Sequence, residues 1–134
     1  MFFGRKKHPP IKSLIAQGTV ITGRVVFADG LRIDGEITGD VVAAEGQGSI
    51  LVVSETGKVS GEIRADLIVI NGVVNGPVFA ADLLELQPKA KVEGDVSYKA
   101  LEMHQGATIS GQLQPMPMAV VAEKTPLKLA SSNG

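Results

Sequence analysis

The chain has 134 residues, 44% of them hydrophobic, with a formal net charge of −1, no cysteine and no tryptophan. Without cysteine there is neither a disulfide framework nor a thiolate zinc centre. A nearly balanced charge argues against a basic face for nonspecific nucleic-acid binding, and the longest apolar runs fall far short of the roughly 20 residues of a spanning helix.

The chain opens with Met1-Phe2-Phe3-Gly4-Arg5-Lys6-Lys7, which sets two of the four phenylalanines beside three permanent cations. His8-Pro9-Pro10 follows, so this start does not read as a signal peptide, which needs a longer apolar stretch. Residues 1–14 are expected to form a tail. Within it Phe2, Phe3, Arg5, Lys6 and Lys7 make a candidate anchor for an anionic membrane surface. Each basic residue contributes about 1 kcal/mol there, and each fully buried Phe about 1.5–3 kcal/mol. The plainer alternative is a solvated chain start. One such anchor is weak, whereas many carried on a polymer hold through avidity.

From Ile21 to Leu113 a five-residue pattern, apolar-x-Gly-x-apolar, recurs eight times. The copies are Ile21-Thr-Gly-Arg-Val25, Ile33-Asp-Gly-Glu-Ile37, Ile37-Thr-Gly-Asp-Val41, Val59-Ser-Gly-Glu-Ile63, Ile70-Asn-Gly-Val-Val74, Val74-Asn-Gly-Pro-Val78, Val92-Glu-Gly-Asp-Val96 and Ile109-Ser-Gly-Gln-Leu113. A unit this short cannot bury its own apolar face and must stack on a neighbour like itself, which predicts a solenoid. With period-two geometry the apolar residues and the glycine point inward and the x positions point to water. Of the sixteen x positions only Val73 and Pro77 are not polar or charged. The glycine leaves room at a corner and can take φ > 0.

The phrases Leu31-Arg-Ile33, Leu51-Val-Val53, Ile68-Val-Ile70, Leu84-Glu-Leu86 and Leu101-Glu-Met103 succeed one another at offsets of 20, 17, 16 and 17 residues. A coil is therefore about 17 residues, with insertions tolerated at one corner. The largest excess falls at Glu45-Gly-Gln-Gly48. Loops absorb such length changes cheaply. Inward positions rich in Val, Ile and Leu predict an all-β parallel β-helix over residues 15–114, with almost no helix. Five to six coils would form a rod about 25–30 Å long at roughly 4.8 Å per coil. Residues 115–134, with Pro115, Pro117 and Pro126, cannot continue the coil and read as a flexible tail.

A stack of coils leaves its first and last coil with unpaired backbone groups and uncovered core, which ordinary solenoids cap. No amphipathic capping helix is apparent at either end of this chain. The expected contacts between copies are Ile21, Val25 and Phe27 in the first coil and Met103, Ile109 and Leu113 in the last. Each is core in any case, and Leu14-Ile15 or Met116-Met118 could instead fold over an end.

The phrases Ile15-Ala-Gln-Gly-Thr19, Leu31-Arg-Ile-Asp-Gly-Glu-Ile-Thr-Gly-Asp-Val41 and Gly57-Lys-Val-Ser-Gly-Glu-Ile63 resemble those of the bactofilins, bacterial polymer-forming cytoskeletal proteins. The resemblance runs from about Ile15 to Leu113. It implies a right-handed β-helix that joins end to end into nonpolar filaments without nucleotide, often on the inner face of the cytoplasmic membrane. The family's aromatic and basic N-terminal anchor is matched by Phe2, Phe3, Arg5, Lys6 and Lys7. Partners implied are further copies, anionic lipid, and cell-wall enzymes or other morphogenetic proteins.

Enzyme readings fare less well. A left-handed β-helix acyltransferase needs an apolar residue every six positions and a catalytic histidine; the coil offsets here are irregular, and His104 falls on the variable corner as a solvated residue. Asp34, Glu36, Asp40, Glu62, Glu93 and Asp95 form an outward acidic set, conceivable as a Ca²⁺ or acid–base site and more simply a solvated face. Asn71-Gly72 and Asn75-Gly76 read as corner residues. There is no P-loop. No catalytic residue, cofactor, metal site or small-molecule substrate is expected. The remaining rival is a membrane-bound adaptor that does not polymerise.

Overall fold

A computed structural model of the chain describes residues 11–44 and 48–116, and all their regular structure is β-strand. Every pairing between strands is parallel. Parallel neighbours cannot be joined by tight hairpins, so the chain circles and returns one level along the stack. The first coil is β1 (Ser13–Ile15), β2 (Val20–Thr22) and β3 (Val25–Phe27), and the second is β4 (Gly30–Ile33), β5 (Glu36–Thr38) and β6 (Val41–Ala43). The third is β7 (Ile50–Val53), β8 (Lys58–Ser60) and the first half of β9 (Ile63–Ile70). From there long strands turn the corner unbroken. The fourth coil takes the rest of β9, β10 (Val73–Asn75) and the start of β11 (Val78–Leu86), and the fifth takes the rest of β11, β12 (Lys91–Glu93) and the start of β13 (Val96–Met103). The sixth ends the stack with the rest of β13, β14 (Thr108–Ser110) and β15 (Leu113–Pro115).

Six coils of three strand segments make a three-sided β-solenoid. One face runs β1, β4, β7 and the second halves of β9, β11 and β13; the next runs β2, β5, β8, β10, β12 and β14. On the third, β3, β6, the first halves of β9, β11 and β13, and β15 are in register. Register places like residues above one another, so the interior is a set of aliphatic columns. Ile37, Val59, Val74 and Val92 form one, Val41, Ile63, Val78 and Val96 another, and all eight are at most 1% exposed. Each such side chain contributes about 1.5–3 kcal/mol on burial.

The glycines of the repeated pattern serve two corners for two reasons. Gly39, Gly61, Gly76, Gly94 and Gly111 sit where the second face meets the third, with φ between +141° and +159°. A Cβ on any of them would come within 3.0 Å of the backbone of the glycine one coil earlier. The missing side chain would thus have run along the stack, where the sequence pattern suggested it pointed into the core; at a corner the period-two alternation fails. Gly35 and Gly72 stand at the other glycine corner without positive φ. There a Cβ would collide with carbonyl oxygens of the preceding coil.

Length variation also falls at two corners, where the sequence suggested one. Between the first and second faces the chain passes directly through Asp34-Gly35 or Asn71-Gly72, or through two more residues closed by a turn. In these turns the N–H of Thr19, Gly57, Ala90 and Ala107 donates to the C=O of Ala16, Ser54, Gln87 and His104, at 3.0, 2.9, 2.9 and 3.2 Å. The Glu45-Gly-Gln-Gly48 excess lies instead between β6 and β7, on the way from the third face back to the first. Of it, residues 45–47 lie outside the described residues. That corner is fastened by Asp66, whose Oδ2 accepts the N–H of Gly48 at 2.8 Å and of Ser49 at 3.3 Å, while the Asp66 N–H donates to Ser49 Oγ at 2.9 Å.

Candidate assembly surface

Comparing one column along its length shows what is special about the two ends. Ile37, Val59, Val74 and Val92 are sealed, while Ile21 below them and Ile109 above them are half-buried. Likewise Ile33, Val53, Ile70 and Leu86 are fully buried, and Met103, which continues their column, is 45% exposed. Leu113 continues the column of Ile63, Val78 and Val96 and is 49% exposed, with Val25 half-buried at the opposite end. The residue types hardly change along each column. What the end residues lack, among the described residues, is a coil on their outer side.

The backbone tells the same story. β1, β2 and β3 each pair on one side only, as do the second half of β13, β14 and β15. Among the described residues, each end therefore presents three strand edges without a partner on the outer side, a template on which another strand can add.

Of the six contact residues expected from sequence, five are thus incompletely covered. Phe27 differs: it is 7% exposed and packs into the core, in a column that continues through the much smaller Ala43. Three residues outside that set are more exposed than any of the six. Leu14, Val20 and Val26 are 59%, 65% and 60% exposed, one on each face of the first coil and all pointing outward. Their signal was present in Leu14-Ile15, Val20-Ile21 and Val25-Val26-Phe27, where adjacent apolar residues break the alternation. The expected membrane anchor, residues 2–7, lies outside the described residues.

The acidic set has mostly structural work. Asp40 Oδ1 accepts the N–H of Glu62, one coil on, and Asp95 Oδ1 that of Gln112, both at 2.9 Å. Arg32 pairs with Asp34 at 2.9 Å, and Arg64 pairs with Glu62. Asp34 is held below the ordinary aspartate value by a hydrogen bond from Ser54 and then by one from Arg32. Among the described residues no helix is long and apolar enough to cross a membrane.

A parallel solenoid with aliphatic columns running to both ends, and no further coil beyond either end among the described residues, defines a stackable structural unit. A family model described as bactofilin, polymer-forming cytoskeletal, matches residues 13–114, and the chain belongs to the bactofilin family. It is similar to Bactofilin BacO of Myxococcus xanthus (strain DK1622), 29% identical over 115 residues that cover 80% of this chain and 88% of that protein. No solved structure gives a significant match.

Proposed function

We propose that this chain is a bacterial cytoskeletal scaffold that assembles end to end, without nucleotide, into nonpolar filaments. In this reading the filaments lie on the inner face of the cytoplasmic membrane, attached through Phe2, Phe3, Arg5, Lys6 and Lys7, and localise cell-shape or cell-wall partners. The observation that carries it is the contrast within single columns, sealed in mid-rod and open at Met103 and Leu113. A second copy stacked on either end would supply the missing coil, covering aliphatic side chains and matching three strand edges at once. Assembly of this kind needs no energy source, because each junction buries aliphatic side chains and pairs open strand edges, antiparallel where like ends meet.

Electron microscopy of the purified full chain in buffer without ATP or GTP tests assembly. Long filaments are expected. Small particles alone, even at high protein concentration, would return the reading to a membrane-bound adaptor. Co-sedimentation with anionic vesicles tests the attachment: the full chain is expected to pellet, and a chain lacking residues 1–8 to stay in the supernatant. Equal pelleting of the two would remove the anchor from the proposal.

A further inference from the structure

We propose that Glu85, Glu102 and His104 form a binding site for a divalent transition-metal ion, with Zn²⁺ the best match to their chemistry. The three come together through register. β11 and β13 place Glu85 directly opposite Glu102 on neighbouring coils of the first face. His104 follows β13 at once, and its N–H donates to the Leu86 carbonyl at 2.9 Å, which fixes the start of the corner. From there the ring reaches back over the glutamates, with Nε2 3.2 Å from Glu85 Oε2 and 3.8 Å from Glu102 Oε2. One ligand atom from each of the three residues lies within 4.8 Å of the other two.

Geometry and charge point to the same occupant. Bonds of about 2.0–2.1 Å in a tetrahedral zinc centre set neighbouring ligand atoms roughly 3.4 Å apart. The two separations measured from His104 bracket that value. Carboxylates directly opposite on adjacent strands repel, and among the described residues neither Glu85 nor Glu102 has a lysine or arginine partner. Elsewhere on the rod such partners are used: Lys12 for Asp29, Arg32 for Asp34, Lys89 for Glu55 and Arg64 for Glu62. A cation between Glu85 and Glu102 would turn that repulsion into attraction. One imidazole with two carboxylates suits Zn²⁺ better than Ca²⁺ or Mg²⁺, which take all-oxygen sets. Three protein ligands leave a fourth position for water. Gln87 Nε2 lies 3.4 Å from Glu85 Oε2 and helps to orient that carboxylate.

Because Glu85 belongs to the fifth coil and the other two residues to the sixth, bound metal would also pin the last coil to the stack. The test uses the full chain and Zn²⁺ in competition with a chromogenic chelator. One ion per chain is expected. His104→Asn and Glu102→Gln are each expected to weaken binding about tenfold or more, and Glu55→Gln and His8→Asn to leave it unchanged. Circular dichroism should stay the same throughout, since all these described side chains are at least partly exposed. No competition by the wild-type chain, or equal binding by His104→Asn, would overturn the site. In thermal unfolding, Zn²⁺ is expected to raise the midpoint of the wild type and not of His104→Asn. An equal rise in both, or the same rise with Mg²⁺, would overturn it as well.

Discussion

Gly61 lies so close over Gly39 that a methyl group on it would run into the Gly39 carbonyl oxygen. Gly23 has a similar backbone, φ +126°, yet a Cβ there would meet nothing within 4 Å, because it belongs to the first coil. The two positions separate backbone strain from collision. Gly23→Ala should cost about 1–3 kcal/mol for an unfavourable φ, and Gly61→Ala upwards of about 4 kcal/mol, since coil spacing would have to open. Urea unfolding of the two variants checks this, and equal midpoints would show that spacing between coils does not require glycine.

Leu113 and Phe27 were both expected to contact another copy, and the structure gives them different consequences. Leu113, 49% exposed, can be replaced by arginine without burying charge, so Leu113→Arg should keep its β-type circular dichroism and its unfolding midpoint while assembly stops. Phe27 is 7% exposed, and Phe27→Arg forces a cation into the core. That variant should lose several degrees of thermal stability as well as assembly. Unchanged filaments from Leu113→Arg would take the last coil out of the contact.

Much of this was legible in the sequence because a parallel solenoid repeats its physics locally. Ile37, Val59, Val74 and Val92 each open a copy of the glycine pattern, and polar x positions such as Asp34 and Glu36 fix which side faces water. What failed was the assignment of corners. Gly39 and Gly35 sit in overlapping copies of one pattern and turn different corners, a distinction visible only once three faces are separated. The Glu85, Glu102 and His104 cluster was only half visible: the aligned phrases Leu84-Glu-Leu86 and Leu101-Glu-Met103 set Glu85 opposite Glu102, but His104 read as solvated corner, and only the fold brings its ring back over both glutamates. Val20 and Val26 lie one residue outside the glycine pattern Ile21-Thr-Gly-Arg-Val25 on either side, and Leu14 read only as a residue that could fold over an end.

Asp34 gives a pH prediction. Its carboxyl lies below the ordinary value of 3.8, first through the Ser54 hydrogen bond and then through Arg32. A folded-state value below the unfolded one stabilises the fold above the unfolded pKa, and that contribution disappears as pH falls through the folded value. Ser54→Ala should therefore move the Asp34 titration, followed by carboxyl carbon NMR, up towards 3.8, and by more than Arg32→Met does. A larger shift from Arg32→Met would reverse the order of causes.

The ends also allow the polarity of assembly to be tested without imaging. Suppose like ends meet, the first coil of one copy on the first coil of another and the last on the last. A chain blocked at the last coil by Leu113→Arg then keeps one competent end and stops as a dimer through its first coils. A chain blocked at the first coil by Val20→Lys, a position 65% exposed and tolerant of charge, stops as a dimer through its last coils. If unlike ends met, each blocked chain alone would remain a monomer, and only a mixture of the two would dimerise. Analytical ultracentrifugation of each variant alone and of the mixture distinguishes the arrangements. The nonpolar reading expects homodimers from each variant and no larger species on mixing than the two dimers already present.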